Sequence, residues 1–305
     1  MVTPNRFVDN VTRFMFEGAA VRGALVSLDD ACREIVGQHP YPPALRRVLA
    51  ELLAASALLA SALSFKGTLA VQLQGAGPVS FLVVECTADL GLRATAQWHA
   101  AASALPDDAP LRALAGDPAT SRLAIMLDPK DGGPIYQGIV ALEGVSVATL
   151  IEHYLSTSEQ IDSRLALAAD ATRARGMLLQ RMPSAGPGDD ATWRRAASRL
   201  DIAAADLLGA RSVEALLAAR FPDDDIRVLA PRAARFRCDC SGDRVGNALR
   251  MLGRAEIEGI LAEQGMIGVT CEFCNRRYSF VAADALALFT PRGGDAGAPP
   301  GAAQP

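Results

Sequence analysis

Aromatic side chains are scarce in this sequence. They make up 5% of its 305 residues, so a core must be built mainly from Ala, Leu, Val and Ile. An excess of charge is also missing. The net charge of −4 excludes bulk attraction to nucleic acid or to anionic lipid. Long hydrophobic runs are absent too. The most apolar stretch, 44–63, is broken at Glu51, and its part after Glu51 is too short to span a bilayer and carries Ser56 and Ser61. The first ten residues lack a charged start followed by an apolar run, so no secretion signal is expected. The three histidines, His39, His99 and His153, have no metal-ligand spacing. What is present is a 50% hydrophobic, 21% charged composition, enough for a sizeable core. The expectation is a cytoplasmic protein with neither nucleic acid nor membrane as partner. In that reducing compartment, paired cysteines bind metal or do redox chemistry more often than they form structural disulfides.

The apolar pattern predicts an α+β fold. Leu45, Val48, Leu49, Leu52 and Leu53 recur at helical spacing, which reads as a buried amphipathic helix. Residues 68–74 alternate, with Leu69, Val71 and Leu73 on one face of a strand. Gly75-Ala-Gly77-Pro78 reads as a hairpin turn and not a phosphate loop, because a strand and not a helix follows it. Further strands are expected at 79–86, 92–98, 122–127, 135–142, 161–168 and 176–182, with a helix at 147–154. Short turns between consecutive strands imply antiparallel sheets, and helices set apart from strands imply α+β over βαβ. Residues 1–183 are then an antiparallel-sheet core domain with helices. Composition changes after Pro183. Residues 184–232 read as a linker region with three short helices, 191–200, 202–208 and 212–220, which are marginal without packing partners. Residues 233–289 carry four cysteines, and 290–305, rich in Gly, Ala and Pro, read as a disordered tail.

Cys238, Cys240, Cys271 and Cys274 form C-x-C, a 30-residue spacer and C-x-x-C. Four thiolates can close a tetrahedral zinc shell. The second pair sits between two short apolar runs, 266–270 and 277–281, and reads as a hairpin knuckle. The spacer reads as two helices broken at Gly253. The module is too small for a self-sufficient core, so a metal must hold it together. A nucleic-acid role for it is disfavoured. Seven arginines between 235 and 289 are matched by seven acids, which leaves no basic footprint for phosphates. Arg235, Arg237, Arg244, Arg276 and Arg277 lie close in sequence to the sulfurs, and cations favour the reactive thiolate. Each cysteine has a neighbouring thiol to resolve a sulfenic acid. Oxidation is therefore expected to give two local disulfides and expel the zinc. Structural zinc contributes roughly 10–16 kcal/mol in small modules. A disulfide closing a three- or four-residue loop returns only about 2 kcal/mol. Oxidation should unfold the module.

These residues resemble the 33 kDa chaperonin family of redox-regulated heat-shock chaperones. The likeness extends through Phe14-Met-Phe16-Glu17, Val21-Arg22-Gly23, Glu51-Leu52-Leu53, Gln72 to Pro78, Tyr136 to Val140, Ser158-Glu-Gln160 and Gly176 to Gln180. The resemblance implies an ATP-independent holdase and no enzyme. It implies one Zn2+ on the four cysteines when reduced and inactive. It implies Cys238–Cys240 and Cys271–Cys274 disulfides when oxidised, with unfolded proteins as clients and a homodimer as the active form. Asp239, Gly242 and the Pro/Gly tail depart from the family pattern.

The competing function is a thiol–disulfide oxidoreductase using the C-x-x-C pair. That chemistry expects the pair at a helix start in a βαβ setting, and a strand follows Cys274 instead. Other motifs read as structural. Cys32 and Cys86 are expected as small core hydrophobes. Ser156 and Glu159 are expected to form a helix-capping box beside His153. Tyr136-Gln137-Gly138 is expected to be a strand with a tight backbone approach.

Overall fold

Two paired strands begin the fold, β1 (Asn10–Phe16) and β2 (Val21–Leu28), followed by helices α1 (Asp30–Val36) and α2 (Pro43–Ala62). The structure is a computed structural model that describes residues 8–63, 65–130, 132–140, 142, 146–183 and 189–290; the sequence expectations for 184–188 and 291–305 lie outside the described residues. The expected meander comes next: β3 (Gly67–Gln74), β4 (Val79–Thr87) and β5 (Gly91–Trp98). Gly75-Ala-Gly77 is its first hairpin turn, closed where Gly75 N–H donates to Ser80 O at 3.0 Å. Helix α3 (Leu111–Ala115) precedes a second hairpin, β6 (Arg122–Pro129) and β7 (Tyr136–Val140). Then follow α4 (Val147–Thr157), β8 (Ser163–Ala169) and β9 (Ala174–Arg181).

The capping box expected at Ser156 and Glu159 does not form, and α4 carries one at its N-terminus instead. Ser146 Oγ accepts from Thr149 N–H and Thr149 Oγ1 accepts from Ser146 N–H, both at 3.2 Å. Ser156 belongs to the last turn, where its hydroxyl donates to His153 O. Glu159 instead accepts from the hydroxyls of Tyr154, at 2.6 Å, and Tyr136, at 3.1 Å. The tight approach at Gly138 is present: a Cβ there would stand 2.5 Å from the Tyr154 ring.

Helices α5 (Asp189–Ser198), α6 (Ala204–Gly209) and α7 (Val213–Arg220) lead to three very short strands, β10 (Ile226–Val228), β11 (Arg232–Ala233) and β12 (Arg235–Phe236). Among the described residues, one sheet runs β10-β1-β2-β9-β8 with β11 also on β1, and the other runs β12-β5-β4-β3-β6-β7. Every pairing is antiparallel except β12 with β5. Helix α2 touches strands of both sheets and is buried almost all round, from Val48 to Ser61 with the exception of Glu51. A helix buried on all sides must be apolar on all sides, which explains why its pattern exceeds a single stripe. The opposite face of the first sheet is covered by α6, α7 and the residue that follows α7. Leu207, Leu216, Leu217 and Phe221 pack there with Phe14, Phe16, Met177 and Leu179, and Phe221 meets Phe16 edge-on at 5.1 Å. Strand β2 is consequently covered on both faces.

The chain divides into two compact units after Cys238. The second contains α8 (Gly242–Leu252), α9 (Arg254–Gln264), the hairpin β13 (Met266–Thr270) and β14 (Arg277–Val281), and α10 (Ala282–Ala287). The expected break at Gly253 is real, with φ of +90°, a conformation that L side chains rarely adopt. Its core is small: Leu249, Ile257, Ile267 and Ala285 are buried together. No helix of the described residues is long and apolar enough to cross a membrane.

Candidate metal centre

The C-x-x-C pair lies where β13 passes to β14. Cys271 N–H donates to Arg276 O at 2.9 Å, and Asn275 N–H donates back to Cys271 O at 2.8 Å. Asn275 has φ of +55°, a left-handed conformation that Asn tolerates because its short amide bonds locally. This turn puts Cys271 and Cys274 on one side of the hairpin end. The C-x-C pair is placed by its neighbours on either side. Strand β12 ends two residues before Cys238, with Arg235 opposite Gly91 and Phe236 opposite Leu92 on β5. Ser241, directly after Cys240, caps α8 by accepting from Arg244 N–H at 3.2 Å.

All four Sγ atoms lie within 4.8 Å of one another, and each cysteine is half-buried. Cys240 and Cys274 sulfurs stand 3.3 Å apart. A tetrahedral ion with Zn–S bonds of about 2.3 Å holds its sulfurs about 3.8 Å apart, so the cluster has the right size for a four-coordinate metal. The donor set fits as well. Four sulfurs with no carboxylate in the group suit a soft or borderline ion and not Mg2+ or Ca2+. The group could hold a metal ion.

Two residues around the sulfurs are absent from the sequence expectations. Tyr278 Oη donates to Cys240 Sγ at 3.1 Å. That bond pushes the phenol's pKa up, so the hydroxyl stays a donor. Arg93 reaches Cys238, with Nη1 3.9 Å from Sγ, while its Nη2 pairs with Glu85 at 2.6 Å. Tyr278 was readable in principle, since it follows Cys274 by four residues on the outgoing strand. Arg93 was not: 145 residues separate it from Cys238. Among the arginines near the sulfurs in sequence, Arg235 and Arg237 meet Asp89 at 2.6 and 3.0 Å. Arg276 is held above its usual pKa by its bond to Tyr278, with Cys240 and Cys274 adding to the effect.

Cys32 and Cys86 stand apart from this cluster. Both are wholly buried in the main core, and burial pushes both thiols up to about 12. They are small core hydrophobes, as expected. His39 packs edge-on against the Tyr41 ring.

A family model described as "Hsp33 protein" matches residues 9–281. A 33 kDa chaperonin of Methylobacillus flagellatus is 43% identical over 284 residues, covering 92% of this chain and 94% of the relative. One of Chromobacterium violaceum is 42% identical over 283 residues, with the same coverage. The crystal structure of a 33 kDa chaperonin from Thermotoga maritima shares the fold. Its TM-score is 0.76 at 19% identity, over 92% of this chain and 97% of that one. With the match running through both units, the chain belongs to the Hsp33 family of 33 kDa chaperonins.

Proposed function

We propose that this chain is a redox-switched, ATP-independent holdase chaperone of the cytoplasm. The observation that carries the reading is the gathering of Cys238, Cys240, Cys271 and Cys274, from two segments 30 residues apart, within 4.8 Å. In the reduced state these four would hold one Zn2+, which supplies the energy that the four-residue apolar cluster of the second unit lacks. Two equivalents of peroxide would take four electrons from the four thiolates. Each neighbouring pair would close a disulfide, Cys238–Cys240 and Cys271–Cys274, with water as the other product and the ion set free. Two short-loop disulfides return about 2 kcal/mol each against roughly 10–16 kcal/mol for the ion, so the second unit would unfold. Residues 184–232 are the metastable linker in this reading: loss of order there would uncover the apolar face of the first sheet for unfolding clients. The active form would be a homodimer.

The thiol–disulfide oxidoreductase reading finds no support in the geometry. Cys271 and Cys274 occupy a hairpin end, not a helix start. Light scattering of an aggregating client, with reduced and peroxide-treated protein side by side, tests the proposal. Suppression only after oxidation, with about one zinc released per chain, is the expected outcome. Equal suppression in both states, or catalytic insulin reduction, would defeat it.

A further inference from the structure

Arg22 on β2 is a half-buried cation in the first unit. Among the described residues no carboxylate pairs with it. Its Nε and Nη2 both donate to one neutral acceptor, Gln180 Oε1, at 3.1 and 2.8 Å, and Nη2 lies 3.5 Å from Ala62 O. Strand register makes this pairing: Arg22 stands opposite Gln180 on β9. A guanidinium removed from water normally finds an anion. Here it lines three cavities, of about 190, 220 and 320 Å³, and the last also holds Asp162 and Arg181. The smallest contains a second cation, Arg13, and no acidic residue. Burial, reinforced by Arg13, pushes Arg22 below its usual pKa.

The 220 Å³ cavity is mostly apolar, with walls from Leu59, Leu69, Ile125, Leu127 and Ile161. Its polar groups besides Arg22 and Gln180 are Tyr136, Tyr154 and Glu159. Glu159 Oε1 already takes both tyrosine hydroxyls. Burial and Glu159 push the Tyr154 phenol well up, so it remains a donor. A carboxylate on the wall disfavours a dianion such as phosphate. The apolar walls disfavour any small anion that would lose its hydration without compensation. One negative charge on a compact apolar body satisfies both constraints. A few convergent polar groups in an apolar concavity are the usual form of a small-molecule site. An apolar cavity of about 150 Å³ admits benzene, so 220 Å³ leaves space for a ring with a short acidic arm.

We propose that this cavity binds a small apolar monocarboxylate of about ten non-hydrogen atoms, its carboxylate on Arg22 and its body against Leu59, Leu69, Ile125 and Leu127. The ligand is a free acid, although the C-terminal residue of a peptide offers the same chemistry. The test is calorimetric titration of the full-length reduced chain with 3-phenylpropionate, with 3-phenylpropanamide as the uncharged isostere and an acetylated tetrapeptide ending in phenylalanine as the third arm. Saturable binding of the acid is expected, with the amide at least tenfold weaker, since a charge-assisted pair is lost. Arg22→Gln should weaken the acid at least tenfold and leave the amide unchanged. Side-chain NMR signals of Tyr154 and Gln180 should shift on adding the acid. Equal affinity for acid and amide, absence of saturable binding at millimolar acid, or tighter binding of the peptide would overturn the proposal. Should Arg22→Gln fail to fold, the acid–amide comparison on the native chain decides alone.

Discussion

Helix α2 and the helix pair α8–α9 are ordered for different reasons. Helix α2 lies between two sheets, with Leu45, Leu49, Leu52, Leu53 and Leu58 wholly buried, and each such side chain contributes about 1.5–3 kcal/mol. The pair α8–α9 buries Leu249 and Ile257 against Ile267 and Ala285, while Met251 is 84% exposed. The lesson is that one chain holds two kinds of stability. The first unit is maintained by apolar contact, which no small reactant removes. The second, with four buried apolar side chains, is proposed to lean on its sulfur cluster, which a chelator or an oxidant would then attack.

The largest effect should come from attacking that cluster directly. A chelator under reducing conditions should strip amide-exchange protection from α8, α9, β13 and β14 while β1 to β9 keep theirs. The lost term is roughly 10–16 kcal/mol, and Cys274→Ser should act in the same direction. Retained protection in α8 and α9 would erase the distinction between the units. The next test uses the buried thiols of the first unit. Cys32 and Cys86 are raised to about 12 against about 8.5 when unfolded. The folded state therefore keeps protons that the unfolded state loses. Their stabilisation is fully present below pH 8.5 and declines as pH rises toward 12, by about 2–3 kcal/mol per thiol at pH 10.5. Urea unfolding of the first unit at pH 7 and pH 10.5 should show the loss, and a Cys32→Ala, Cys86→Ala chain should show a shallower one.

A smaller effect is expected at Gly23, where a Cβ would stand 2.2 Å from the Phe14 ring. Gly23→Ala should cost about 1–3 kcal/mol by overpacking, measured as a lower urea midpoint of the first unit with unchanged metal affinity. The smallest and most discriminating test pairs two caps. Ser212 and Ser241 each accept from a backbone N–H three residues on, Ala215 at 3.1 Å and Arg244 at 3.2 Å. Removing either should cost about 1 kcal/mol. Ser241→Ala should weaken metal binding about fivefold in a chelator competition, and Ser212→Ala should leave it unchanged.

Strands β3, β7, β13 and β14 and helix α4 were legible because one face of each is more buried than the other, so that period two or period 3.6 survives in the residues. Strands β1 and β2 were not read as strands. Their first sheet is packed on both faces, and in β2 a half-buried Arg22 and a Gly crowded by Phe14 stand among the apolar residues. The strands β10 to β12 have two or three residues each and no local signal. They exist because β1 and β5 offer open edges. The four sulfurs were legible from spacing alone, since a C-x-C and a C-x-x-C carry their own geometry. Arg93 and Tyr278 were not, because a neighbour supplied by folding leaves no mark near the residue it serves. Glu159 misled for a related reason: its partners are tyrosines from two different elements, not the helix end its spacing suggested.

Residues 226–236 complete both sheets of the first unit, β10 and β11 on β1 and β12 on β5. At ribosomal rates of 5–20 residues per second, β1 waits about ten to forty seconds for its outer neighbours to be synthesised. During that interval the nascent chain presents bare hydrogen-bonding edges, the kind of surface on which other polypeptides aggregate. A newborn copy of this molecule therefore passes through the same kind of exposure that its finished form is proposed to guard against in other chains.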